Sequence, residues 1–134
     1  MRGTAMMEFA LAWPVALLVV LGSVQVTVWG SEAFAARSAA LAGARAGTVS
    51  GGTSEIASVV TLHSLSPALV GVGASIWCPG ESSPQPPVWI CAADLGTAMQ
   101  VDVGGSVPAL VPFSISGRLP VHAEVVLQKE SFAR

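Results

Sequence analysis

Few residues in this chain have the type and spacing to do chemistry, and one of them stands in an unusual place. Residues 2–14 read RGTAMMEFALAWP, with a carboxylate, Glu8, five positions after a glycine, Gly3. No other charge occurs from Phe9 through Ser31. A charge at a bilayer centre costs roughly 2.5–3.5 kcal/mol on insertion scales, and less near an edge where it reaches water. An anchor with no other task would still gain by losing Glu8. Two readings remain: an interfacial acid, or a carboxylate that meets a positive charge inside an assembly.

The other reactive side chains are two cysteines and two histidines. Cys78 and Cys91 flank the segment PGESSPQPPVWI and stand beside short apolar runs. A disulfide closing this loop fits an exported domain, and a loop of about 15 residues gives roughly 3 kcal/mol on the chain-entropy account. The rival is a metal site built from Cys78, Cys91, His63 and His122. No CxxC or HxxxH spacing supports it, and His63 reads as a helix-face residue at the edge of a core. Gly71-Val72-Gly73 lacks the third glycine of a dinucleotide fingerprint, since Ile76 holds that place. Neither GxSxG nor HExxH occurs. The expectation is a protein that is not an enzyme, with no cofactor and no metal.

Composition bounds the elements that hold these residues. The chain has 134 residues, short enough for one compact domain and an appendage. Charged residues make up 10%, against a usual share of about 25%. The apolar share is 52% and the mean hydropathy is +0.67. A net charge of −2 and scattered basic residues argue against a nucleic-acid partner, which needs a basic face for phosphates. Much of the apolar character lies in Phe9–Trp29, whose 21 residues cover about 32 Å as a helix, enough for a hydrocarbon core of about 30 Å. Trp13 and Trp29 lie near its ends, where indoles favour the interface. Pro14 frees the carbonyl of Ala10, which membrane helices tolerate when neighbours satisfy it. A cleaved signal peptide fits less well, because the run exceeds the usual apolar region of about 7–15 residues and no basic cluster precedes it.

Gly3 followed by four residues and then Glu8 resembles the cleavage site of type IV pilin precursors. The wider stretch RGTAMMEFALAWPVALLVVLG is similar to the TadE-like minor pilins (pseudopilins) of the tight-adherence system. Arg2, Gly3, Glu8, Phe9, Ala10, Leu11 and Pro14 fit that family's pattern over about 25 residues. The resemblance implies a three-residue leader, Met1-Arg2-Gly3, and cleavage after Gly3 by a prepilin peptidase, with Thr4 as the new first residue. It implies that Glu8 meets the N-terminal amine of a neighbouring subunit, and that Glu8, Phe9 and Pro14 serve assembly. Partners would be other pilins or pseudopilins and the inner-membrane assembly platform. Phe9 and the chain length point to a minor subunit. In low dielectric such an ion pair attracts strongly, but its net value depends on desolvation. Its benefit is register, since a subunit out of step leaves a buried charge unpaired.

Beyond Trp29 the alanine-rich segment SEAFAARSAALAGARAG predicts a continuing helix. One helix from Thr4 to about Ala46 is expected, with 9–29 in the membrane and 30–47 as a stem. Phe34, Leu41 and Ala44 recur at helical spacing as a thin apolar stripe. Ala39, Ala40 and Gly43 permit close backbone approach. TVSGGTS at 48–54 reads as a hinge. A short helix follows, capped by Thr53 or Ser54, with Glu55 in its first turn, Ile56, Val59, Val60 and His63 on one face, and Pro67 at its end. Strands are expected at 69–77, 88–92, 97–103 and 119–129. In the last, Val121, Ala123, Val125 and Leu127 alternate with His122, Glu124 and Gln128. Residues 107–112, bracketed by prolines, read as an edge segment or loop.

The predicted fold is therefore α+β: a long N-terminal helix, a hinge, and a small domain at 55–134 with an antiparallel sheet. Arg2 flanks one side of the apolar run and Arg37 and Arg45 the other, so charge does not orient it. The pilin resemblance and the expected disulfide both put the C-terminal domain outside the cytoplasmic membrane, on a single-pass anchor, with entry into a surface pilus left open. Two functions compete: a processed minor pilin, or an unprocessed anchored domain that binds an envelope partner.

Overall fold

The computed structural model describes residues 2–65, 73–109 and 117–129. Its elements are α1 (Arg2–Thr48), α2 (Ser54–Ser64), β1 (Ser75–Ile76), β2 (Val88–Asp94), β3 (Ala98–Pro108) and β4 (Arg118–Gln128). The single long helix and the short second one match expectation closely. The turn between them uses Gly51 at φ 84°, a left-handed conformation that other residues adopt only with strain. Thr53 then caps α2, its Oγ1 accepting from the Ile56 N–H at 3.2 Å. Pro67 and the start of the expected strand at 69–77 lie outside the described residues.

The chain climbs α1, turns, and descends α2. Gly43 decides how near the two helices come: a Cβ there would stand 1.8 Å from Thr61 Oγ1 and 2.6 Å from the Ala57 carbonyl oxygen. Ala39, Ala40, Ala44 and Ala57 are all buried around this contact. The stem stripe is thus built from alanine and glycine. Phe34, expected on it, is 75% exposed. The face of α2 is also turned relative to expectation: Ala57, Ser58 and Thr61 point inward, while Ile56, Val59 and His63 face out. The inward positions of α2 are thus taken by Ala57, Ser58 and Thr61, and two of these carry hydroxyls. They satisfy themselves on their own helix, Thr61 Oγ1 donating to the Ala57 carbonyl at 2.7 Å and Ser58 Oγ to Ser54 at 2.9 Å.

A four-stranded sheet in the order β1-β2-β3-β4 covers both helices on one side. β2, β3 and β4 form the expected antiparallel meander, with Val88 opposite Gly105 and Val101 opposite Val125. The two-residue β1 runs parallel to β2, so the sheet is mixed. The reason is the intervening loop, which carries the chain back before β2 begins. Residues 107 and 108 belong to β3 and pair with Leu119 and Arg118 of β4 but with no residue of β2, which fits the edge-segment reading of 107–112 over the loop; residues 110–112 lie outside the described residues. Pro120 is tolerated because β4 is an edge strand. Ile90, Met99, Val101 and Val103 point inward and are the largest fully or nearly fully buried apolar side chains. The alternation of β4 holds, with Ala123 buried, Val121, Val125 and Leu127 half-buried, and His122 and Glu124 outside.

At the upper end of the sheet, the Asp94 carboxylate accepts from Lys129 Nζ at 2.6 Å and from the Gly96 N–H at 2.8 Å. These contacts hold it below the usual carboxylate range. The pair is exposed and screened, so it shapes the hairpin more than it stabilises the domain.

The helix contact predicts opposite outcomes at two glycines of α1. Gly43→Ala gains helix propensity of about 1 kcal/mol but forces the helices apart, and overpacking of this kind costs typically 1–3 kcal/mol. Gly30→Ala meets nothing within 4 Å and should stabilise by about 0.5–1 kcal/mol. Thermal unfolding of the detergent-solubilised protein should place the two variants on either side of the parent. A Gly43→Ala variant as stable as Gly30→Ala would contradict the packing argument.

Candidate functional site

The first candidate site is the uncovered part of α1. From Met6 to Val24 every side chain is exposed except Gly22, which is half-exposed. The segment is apolar on all sides, with Phe9 at 68%, Leu11 at 72% and Val19 at 66% exposure. A helix that is hydrophobic all round belongs in lipid or inside a large assembly. Its length and composition suffice to cross a membrane. Its one interior hydroxyl is satisfied on the helix itself: Ser23 Oγ donates to the Val20 carbonyl at 2.7 Å. Just above, Thr27 Oγ1 donates to Ser23 at 2.9 Å. Phe9 and Trp13 stack one turn apart, with ring centroids 6.1 Å apart. Glu8 is the only charge in this segment, on the same helical stretch as Phe9 and Pro14. Gly3 and Thr4 lie in the first turn of α1.

The domain reaches further down the helix than the sequence suggests. Gln25 is buried, and the Trp29 indole N–H donates to the Pro120 carbonyl at 3.1 Å. Trp29, expected at a membrane boundary, therefore ties β4 to the helix. The uncovered segment ends at Val24.

Above Trp29 lies the second candidate. Glu32 is only 7% exposed, and its carboxylate makes no hydrogen bond or ion pair among the described residues. It lines a partly open pocket of about 40 Å³ between α1 and the lower ends of β3 and β4. The walls are otherwise mostly apolar: Ala35, Ala36, Leu65, Val88, Val103 and Val121 among them. Burial raises the Glu32 carboxyl above its ordinary value. Sequence reasoning passed over this residue as one charge among the small residues of an alanine-rich stem. A signal existed: Gln25, Glu32, Ala36, Ala39, Gly43 and Gly47 recur at helical spacing, and all of them are buried.

The outer face of the sheet carries the remaining polar and aromatic groups. Trp89 lies flat across Gly104, where a Cβ would come within 2.3 Å of the ring. Trp77 meets it edge-on at 5.8 Å, and His122 stands 6.0 Å away. His122 Nε2 is 3.8 Å from Asp102 Oδ1. Cys78 and Cys91 form a disulfide, S–S 1.99 Å and Cα–Cα 4.8 Å, as expected. It closes the proline-rich loop together with the Trp77 N–H to Ile90 carbonyl bond at 3.0 Å. The cysteines are thus used in a covalent bridge, and His63 stands apart on the exposed face of α2. Among the described residues no three His, Cys, Asp or Glu side chains gather as metal ligands.

Against known proteins, one family model matches, described as TadE-like protein, over residues 3–45. The match covers α1 almost to its end and none of the domain, and over those residues the resemblance drawn from Gly3, Glu8 and Pro14 is borne out. No curated protein and no solved structure matches the chain.

The Glu32 pocket predicts an inverted pH dependence for the unassembled protein. A carboxyl raised above its unfolded value of about 4.3 favours the fold while protonated. That contribution is present at low pH and is lost as pH rises through the folded value. Glu32→Gln should therefore stabilise the isolated protein at about pH 7, and its advantage over the parent should narrow near pH 4. Denaturant unfolding at several pH values measures this. A variant less stable than the parent at neutral pH would mean that Glu32 has a partner within the subunit.

Proposed function

We propose that this chain is a minor pilin or pseudopilin of a Tad-like type IV pilus or secretion machine. In this reading a prepilin peptidase cuts after Gly3, α1 anchors the subunit in the cytoplasmic membrane, and the domain stands outside it. The observation that carries the reading is an all-round apolar helix, uncovered from Met6 to Val24, with one carboxylate near its start. The family match over residues 3–45 supports it.

The reach of the domain sharpens the case for Glu8. If the domain stays out of hydrocarbon, the helix from Val24 downward is what remains to face lipid. Glu8 lies 16 residues below Val24, about 24 Å along the helix, short of the roughly 30 Å of a bilayer core. Glu8 then falls inside the span instead of at its lip. A buried carboxylate at that depth calls for a cation, and a Thr4 amine on an adjacent subunit would supply one. The competing reading, an unprocessed anchored domain, leaves Glu8 without a task.

Two experiments test this. The mature N-terminus, read by mass spectrometry with and without a prepilin peptidase, should begin at Thr4. Gly3→Trp should block the cut while leaving membrane insertion intact. Unchanged processing in that variant would remove the main support for a pilin role.

The second concerns assembly. Glu8→Gln should insert at least as well as the parent, because a neutral amide is cheaper to bury than a charge. Recovery of pilin partners at equal membrane levels should nevertheless fall. Removing one member of a buried pair leaves the other unpaired, which can cost roughly 3–5 kcal/mol. Equal recovery would leave Glu8 as an ordinary interfacial acid.

A further inference from the structure

Glu32 is a largely buried residue whose carboxylate has no partner among the described residues, and a chain that keeps one must obtain a cation or bear the desolvation cost. The pocket around it is open on one side and lined by Ala35, Val107, Pro108 and Val121. An arginine fits this chemistry, because its methylene stem can lie on apolar walls while the guanidinium forks onto a carboxylate.

The basic side chains among the described residues narrow the choice. Lys129 is taken by Asp94, and Arg118 has a partner of its own. Arg37 and Arg45 are exposed on α1 and make no ion pair among the described residues. Register separates these two. A neighbouring copy that brings its Thr4 amine beside Glu8 is raised by four residues of helix, about 6 Å. The same copy, raised by five residues, about 7.5 Å, brings its Glu32 level with Arg37 of the lower copy. The two shifts have the same sign and differ by about 1.5 Å, well within the freedom of an arginine side chain. Arg45 would need a shift of thirteen residues, about 20 Å.

We propose that the Glu32 pocket of one copy receives Arg37 of the adjacent, lower copy, forming a second inter-subunit ion pair outside the membrane in the same register as the Glu8 pair. The proposal rests on the pilin reading. The contact is heterologous, pocket on one copy and side chain on the next, so it propagates along an open array instead of closing a dimer. It supplies the selectivity that lipid-facing helices lack. Helices apolar on all sides slide past one another with little change in energy, whereas a guanidinium and a buried carboxylate out of step are both left unpaired.

The native cysteines are bridged to each other, so introduced thiols report alone. Two differently tagged copies are co-expressed in the host membrane, one carrying Ser38→Cys beside Arg37, the other Ser106→Cys on the pocket rim, and treated with a short bis-maleimide. The expected result is a link between the two tags, lost to background in Arg37→Glu, kept in Arg37→Lys, and absent from Ala46→Cys paired with Ser106→Cys. Glu32→Gln should lose the link while the isolated subunit becomes more stable, which separates a missing contact from a misfolded pocket. Processed copies that co-isolate without the link, or a Ser38→Cys thiol captured only by other subunits, would overturn the contact and leave the pilin reading standing. A link formed by chains never cut after Gly3 would overturn the pilin reading instead and leave the contact in place.

Discussion

The close approach of α2 to α1, made where Gly43 admits Thr61 among alanines, is the constraint on which the rest of the structure depends. Gly43 admits Thr61, and Ala39, Ala40, Ala44 and Ala57 fill the space around it. Interiors are packed as densely as organic crystals, so the fit at Gly43 fixes which face of α2 turns inward, and Ile56 and Val59 face outward. Small contacts bury little apolar area each, so the larger burial has to come from the other layer. The sheet provides it with Ile90, Met99, Val101 and Val103. Met99 reaches the top of the helix pair, where its side chain leaves no room for a Cβ on Gly47.

This arrangement divides α1 between two environments. Its upper half has one buried stripe and one wet face, as in any amphipathic surface helix. Its lower half has no stripe, because none of the described residues covers it below Gln25. The boundary is built, not gradual. Trp29 is bonded to the Pro120 carbonyl, and the lower ends of β3 and β4 close over Glu32. The domain therefore sets how much of the helix is left uncovered above Glu8.

The small domain also needs covalent help. Between α2 and β2 the described chain has one strand, β1, with only two paired positions. A loop with four prolines cannot donate at those positions to a sheet ladder. The Cys78–Cys91 bridge holds that loop against β2, with the Cys78 N–H donating to Glu81 Oε1 and the Trp77 indole to the Ser83 carbonyl. On the outer face, Gly104 lets Trp89 lie against the sheet, so the aromatic cluster is anchored to the same strand that the disulfide secures.

Much of this was legible in the residues alone. Hydrophobic runs, helix propensity and a capping threonine suffice for α1 and α2, because those signals are local and periodic. Strict alternation in β4 foretold its inner and outer faces for the same reason. The cysteine spacing and the Gly3–Glu8 pattern also act over short distances. What the chain's order could not reveal is which face of a helix turns inward when both faces are plausible. Bulky residues at 56 and 59 gave α2 the stronger hydrophobic signal on the wrong side, and Phe34 did the same for the stem. Only the tertiary structure decided these, because the separation between two helices is fixed by the smallest residues at their contact, a pairwise quantity that neither helix carries by itself. The same holds for Glu32 and Trp29: each is unremarkable in sequence, and each acquires its role from strands that arrive some seventy or more residues later and close around it.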